Sequence, residues 1–127
     1  MHAPGIGHPD IRLRRLERAL ARTGTHDIVD LVRQIKRGAA QVWEHGDSVV
    51  ITEVLAYPRT KTLHYWLVAG DLEDIMALEP DIEEWARGQG CIRFEAYGRP
   101  GWDRVAKHAG WRPQAMLWVK EDRHGRQ

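Results

Sequence analysis

Lys61-Thr62-Leu63-His64-Tyr65-Trp66-Leu67-Val68-Ala69 runs through Gly70 into the acidic stretch Asp71–Gly90, and from there into Cys91-Ile92-Arg93-Phe94-Glu95-Ala96-Tyr97. The first segment alternates with a period of two. Leu63, Tyr65, Leu67 and Ala69 fall on one side and His64, Trp66 and Val68 on the other, so both faces are largely apolar, as suits a central strand covered on each side. In the second, Leu72, Ile75, Met76, Ile82, Trp85 and Ala86 recur at helical spacing. Pro80 lacks an N–H and crowds the preceding turn, which predicts a kink or break there, with Pro80 in the first turn of a second piece. The third segment reads as a strand. Strand, helix and strand in this order make a crossover, which places the two strands parallel in one sheet.

Working outward, Asp47–Tyr57 (DSVVITEVLAY) is a β-branched run ending at Pro58. The short linker Pro58-Arg59-Thr60 joins it to the strand at 61–69, which predicts an antiparallel hairpin. Upstream, Ile11, Leu13, Leu16, Ala19 and Leu20 keep helical spacing, with Asp10 as N-cap and Gly24 as stop. A second helix is capped by Thr25 or Asp27. It carries Ile28, Leu31, Val32, Ile35, Ala39 and Val42 on its apolar stripe and ends at Gly46. Downstream, Gly98, Pro100 and Gly101 open a short helix through Trp102, Val105, Ala106 and Ala109, and Arg112–Lys120 reads as a last strand. The order α, α, β, β, α, β, α, β predicts an α/β (mixed α+β) domain, a mixed sheet with helices on both faces. The expected organisation is a loose arm over 1–9, one domain over 10–122 and a polar tail over 123–127.

The chain has 127 residues, 43% apolar and 29% charged, enough to bury one core. Nineteen Lys and Arg against eighteen Asp and Glu give a net charge of +1, without the basic excess of a general nucleic-acid binder. A single cysteine, Cys91, excludes an internal disulfide and any Cys-rich zinc site. It opens a strand expected to be buried, which suits core packing rather than a reactive thiolate. The seven histidines are scattered, with no His-x-x-x-His pair, so no metal site is expected. No apolar run approaches the ~20 residues of a membrane helix. The opening MHAPGIGHPD lacks a charged-then-apolar signal pattern, so a soluble cytoplasmic location is the expectation. Six Trp against one Phe supply large wedges between short helices and a small sheet.

The element order over roughly residues 27–120 resembles the GNAT superfamily, the acetyl-CoA-dependent N-acetyltransferases. Ala86-Arg87-Gly88-Gln89-Gly90-Cys91-Ile92-Arg93-Phe94-Glu95-Ala96 is similar to the end of the family's third helix entering its fifth strand. Arg99–Trp111 (RPGWDRVAKHAGW) is similar to its closing helix, with Gly110-Trp111 standing in for the usual Gly-Phe. The resemblance implies a GNAT-like sheet and, in an active member, bound acetyl-CoA. Two departures matter. The family's pyrophosphate loop is usually Arg/Gln-x-x-Gly-x-Gly/Ala, whose glycines let backbone N–H groups close on the anion at a helix N-terminus. The corresponding Gly70-Asp71-Leu72-Glu73-Asp74-Ile75 has one glycine and three carboxylates, and Asp71 to Glu84 contains seven acids and no base. The tyrosine that many members use to protonate the leaving thiolate falls at Ala106, and Arg99–Trp111 has no Tyr, Ser or Cys.

These departures predict the scaffold without the chemistry: a protein that acts through protein–protein contacts or self-association and needs no cofactor. Gly98-Arg99-Pro100-Gly101-Trp102 resembles short GNAT-like proteins encoded among phage morphogenesis genes, which implies a virion or assembly component located in the virion. The alternative is an N-acetyltransferase acting on an amine. It would hold acetyl-CoA through Trp66, Val68, Gly70 and Asp71, with Glu53 or His64, on adjacent hairpin strands, as base. A third reading takes the first helix, with Arg12, Arg14, Arg15, Arg18 and Arg22 against Asp10 and Glu17, as a surface for nucleic acid or an acidic partner.

Overall fold

In a computed structural model, residues 8–98 and 100–122 are described. The chain divides into two compact units, Met1–Tyr97 and Gly98–Gln127. Most of the arm expected over 1–9 and all of the tail over 123–127 lie outside the described residues.

The first unit begins with two helices. Helix α1 (Pro9–Thr23) starts with Pro9 in its first turn and His8 as N-cap, so Asp10 sits inside the helix rather than capping it, where its charge favours the N-terminal dipole. Gly24 ends it in the left-handed region, at φ 69°. Helix α2 (Ile28–Lys36) is capped by Asp27. The Asp27 carboxylate accepts the Asp30 N–H, and the Asp30 carboxylate accepts the Asp27 N–H. The backbone hydrogen bond from Asp27 holds the Asp30 carboxyl below its ordinary range.

Four strands form one mixed sheet in the order β1-β2-β3-β4: β1 (Gln41–His45), β2 (Ser48–Ala56), β3 (Lys61–Ala69) and β4 (Arg93–Ala96). β1 pairs antiparallel with β2, β2 antiparallel with β3, and β3 parallel with β4. The crossover and the hairpin thus stand as read. β1 corrects the expectation that the second helix runs through Val42 and ends at Gly46. That helix stops at Lys36, and Gly38, at φ 78°, turns the chain out of it. His45 then pairs with Ser48 across Gly46-Asp47, with positive φ at Gly46 only, the requirement of a type II′ hairpin turn. Helix α3 (Leu72–Gly88) runs through Pro80 without a break, correcting the expected interruption. Burial of Ile75, Leu78, Ile82 and Ala86 on one face holds the helix together on both sides of the missing N–H.

The sheet is covered on both faces. Ala19, Leu20 and Leu31 of the first two helices pack with Val49, Ile51, Leu67 and Ala69. On the opposite face, Trp43 meets Trp85 of α3 edge-on at 5.8 Å, and the Trp43 indole N–H donates to the Thr52 hydroxyl at 3.0 Å. That hydroxyl in turn donates to the Gln41 side-chain carbonyl at 2.9 Å. Trp43, Trp66 and Trp85 therefore act as wedges, as expected, whereas Trp118 is exposed.

The second unit holds a 3₁₀ turn (Pro100–Trp102) and helix α4 (Asp103–His108). The last strand expected over 112–120 is absent. Residues 111–122 carry no regular secondary structure, and Met116, Leu117, Trp118 and Val119 are exposed. β-propensity alone does not make a strand, because the ladder needs a partner.

Replacing the exposed Pro80 by Ala should restore one helical hydrogen bond and stabilise the protein by about 1–3 kcal/mol in urea unfolding.

Candidate functional site

The register of β2 with β3 slips once. Ile51 pairs with Leu67, but the next residue, Thr52, pairs with Tyr65, leaving Trp66 as the extra residue of a β-bulge. An inserted residue breaks the period-two alternation. Tyr65, opposite Thr52, lies on the α3 face, while Leu67 and Ala69 join the core under α1 and α2. The expectation that Leu63, Tyr65, Leu67 and Ala69 share one side is corrected accordingly. Trp66 packs against the α1–α2 core and meets the His26 ring at 4.8 Å.

The parallel ladder is short. Thr62, Leu63, His64 and Tyr65 pair with Arg93, Phe94, Glu95 and Ala96, and pairing ends there. β3 continues to Ala69 against β2, so Trp66–Ala69 have no β4 partner among the described residues. A stretch of strand edge, with the bulge at its start, is thereby open on the β4 side. Three of the four residues expected to hold a cofactor sit here or next to it: Trp66, Val68 and Gly70.

Gly70 is held by its neighbour. Its φ is 139°, and a Cβ there would fall 2.1 Å from the Ser48 hydroxyl and 2.7 Å from the Ser48 Cα. Ser48 accepts the Asp71 N–H at 2.9 Å and donates to the Asp74 carboxylate at 2.8 Å, so it ties the β1–β2 turn to the start of α3. Arginines of α1 reach the same place. Arg12 pairs with Glu44 and donates to the Gly46 carbonyl at 2.8 Å; Arg15 donates to the Asp47 carbonyl at 2.9 Å and lies 3.9 Å from the Asp71 carboxylate. His45 lies 4.0 Å from Asp74. Two of the five arginines singled out on the first helix are therefore engaged by this turn, while Arg14, Arg18 and Arg22 lie on exposed positions.

The two candidate bases meet as the hairpin reading expects. Glu53 pairs in register with His64, and His64 pairs with Glu95 on β4. The three stand in one row across three strands. His64 is 4% exposed, its Nδ1 lies 3.0 Å from a Glu95 carboxylate oxygen without the alignment of a hydrogen bond, and Tyr97 stands edge-on to its ring at 5.0 Å. The other Glu95 oxygen accepts from Arg93 at 2.6 Å and from the Tyr57 hydroxyl at 3.2 Å. Desolvation, and then the Glu95 carboxylate, push the Tyr57 phenol above its ordinary range. Glu95, Arg93, Tyr57 and Tyr97 are members that sequence reasoning missed; a parallel register for the crossover would have placed Glu95 beside His64. Cys91 is buried, and desolvation raises its thiol. Among the described residues no group of three or more His, Cys, Asp or Glu is arranged to hold a metal. Among the described residues no helix is long and apolar enough to cross a membrane.

Gly70→Ala should cost about 2–4 kcal/mol in denaturant unfolding, and Ser48→Ala should not rescue it, because the clash includes the Ser48 backbone. Cys91, 3% exposed with a raised thiol, should react with a thiol reagent at neutral pH only when the protein is unfolded. Fast labelling of the native protein would contradict this.

No family model matches the chain, and no curated protein matches it. Solved structures do. A probable acetyltransferase superposes with a TM-score of 0.62 at 10% identity, covering 89% of this chain and 93% of that one. An acetyltransferase of Trypanosoma brucei superposes with a TM-score of 0.61 at 16% identity, covering 90% and 95%. The fold is therefore the GNAT-like fold of these acetyltransferases.

Proposed function

We propose that the protein is an acetyl-CoA-dependent N-acetyltransferase acting on an amine. The observation that carries this reading is the open edge of β3 after the Trp66 bulge, lying beside the Glu53–His64–Glu95 row. An unpaired strand edge offers N–H and C=O groups to an extended, amide-bearing ligand in the manner of an added strand. Acetyl-CoA has such an arm, and Trp66 and Val68 would hold it. The first turn of α3 fits the diphosphate end less well, since Asp71, Glu73 and Asp74 crowd that helix terminus. Part of this charge is offset locally: Arg15 lies beside Asp71, and Ser48 hydrogen-bonds Asp74. The carboxylates thus weaken a diphosphate contact rather than forbid it. The chemistry supplied by bound acetyl-CoA is an activated acetyl thioester. The chain's own part is to orient the acceptor amine and take its proton, at Glu53 or at His64.

A second reading rests on the same turn of α3. Three carboxylates and a single glycine in the stretch corresponding to the family's glycine-bearing loop, together with Ala106 in place of the usual tyrosine, favour a protein that has kept the scaffold and works through protein contacts. The Gly98–Trp102 segment supports a phage virion or assembly component within that reading.

Calorimetric titration with acetyl-CoA separates the two. The enzymatic reading predicts one site of micromolar affinity. Asp71→Asn and Glu73→Gln should each tighten it about twofold, since removing one like charge at roughly 8 Å in water is worth about 0.5 kcal/mol. No heat at millimolar acetyl-CoA would leave the non-catalytic reading standing.

A further inference from the structure

The row across the sheet holds two candidate bases, and its geometry distinguishes them. A neutral imidazole carries its proton on one ring nitrogen and a lone pair on the other, and the partner of the first decides which is which. His64 Nδ1 is buried and lies 3.0 Å from a Glu95 carboxylate oxygen. The pair is out of hydrogen-bond alignment, but at 3.0 Å in a desolvated place a lone pair on Nδ1 is repelled by the carboxylate oxygen, whereas a proton on Nδ1 is attracted to it. With the proton on Nδ1, the free lone pair sits on Nε2. Glu53, opposite on β2, is half-exposed and has, among the described residues, no anchor comparable to the one that holds Glu95.

Glu95 is itself fixed. Its second oxygen accepts from Arg93 at 2.6 Å and Tyr57 at 3.2 Å, which leaves the first oxygen 3.0 Å from His64 Nδ1. The Tyr97 ring, edge-on at 5.0 Å, limits rotation of the imidazole. These are the parts of an oriented base: a proton acceptor, a carboxylate that sets its tautomer, and groups that set the carboxylate.

We infer that Glu95 is a positioning residue that holds His64 with its proton on Nδ1, making Nε2 the atom that takes a proton from the acceptor amine. The identity of the reaction rests on the acetyl-transfer reading; the tautomer does not. In that reaction the amine nitrogen forms a bond to the acetyl carbon as the carbon–sulfur bond breaks and the sulfur leaves as thiolate. The amine proton passes to Nε2. The resulting imidazolium is balanced by the Glu95 carboxylate and returns to neutral by releasing the proton to solvent. Charged and titratable groups around the ring are Glu53 from β2, Glu95 and Arg93 from β4, Tyr57 after β2 and Tyr97 after β4.

The test is nitrogen NMR of the full chain labelled at histidine. In the neutral ring of wild type, His64 is expected as the Nδ1–H form. In Glu95→Gln the side-chain amide can donate to Nδ1, and the Nε2–H form should take over. Arg93→Met keeps the carboxylate and should keep the wild-type tautomer; it also serves if Glu95→Gln fails to fold. An Nε2–H form in wild type, or a tautomer unmoved by Glu95→Gln, overturns the inference. Kinetics supplies the second arm: Glu95→Gln should lower kcat by about 10²-fold, with KM for acetyl-CoA unchanged, and alter the pH profile of kcat/KM. Absence of acetyl transfer in a wild type that shows the expected tautomer overturns the acetyl-transfer reading and leaves the assignment of Glu95 intact.

Discussion

One inserted residue in β3 governs the arrangement of this molecule. With Trp66 bulged out of the ladder, the strand presents Tyr65 to α3 and Leu67 with Ala69 to α1 and α2. A regular strand would have kept Leu67 and Ala69 on the same side as Tyr65, and the α1–α2 core would have lost two buried members. The same insertion coincides with the end of pairing to β4. The bulge therefore fixes a covalently continuous strand that is central at its first half and edge-like at its second. Everything chemically notable in the first unit lies on one side or the other of that change.

Before the change comes the polar row. Polar groups that cross a sheet in register cost desolvation unless they are partnered, and here Glu95 accepts from Arg93 and Tyr57 while lying 3.0 Å from His64 Nδ1. After the change come Gly70 and the crowded start of α3. There the negative charge of the helix is tied into the fold: Ser48 links Asp71 and Asp74, while Arg12 and Arg15 bind the β1–β2 turn. Asp71 and Asp74 are thus part of how α1, the hairpin and α3 are joined. A structural use for those residues removes the need to read them as the scar of a lost activity, which is why the open edge carries more weight here than the acidic turn.

Much of this was legible in the sequence. The strand–helix–strand of residues 61–97 and the hairpin closed by Pro58-Arg59-Thr60 follow from periodicity and turn chemistry, and the register of Glu53 with His64 followed from the hairpin. The bulge was not legible, because Tyr65, Trp66 and Leu67 are all large and apolar, and such a run hides a slip in alternation. β1 was hidden because Ile35, Ala39 and Val42 continue a helical spacing; Gly46-Asp47 was the turn signal that competed with it. Pro80 misled because local propensity was outweighed by four buried residues on one helix face. Glu95 was invisible for a different reason: its partner lies 31 positions away by sequence number and is brought to it only by the parallel register.

Hydrogen exchange of the full chain with and without acetyl-CoA tests the central claim most directly. The account predicts new protection at the amides of Trp66–Gly70, where β3 has an edge to offer, and little change at Thr62–Tyr65, already paired on both sides. Protection that spares Trp66–Gly70, or none at saturating acetyl-CoA, would contradict it.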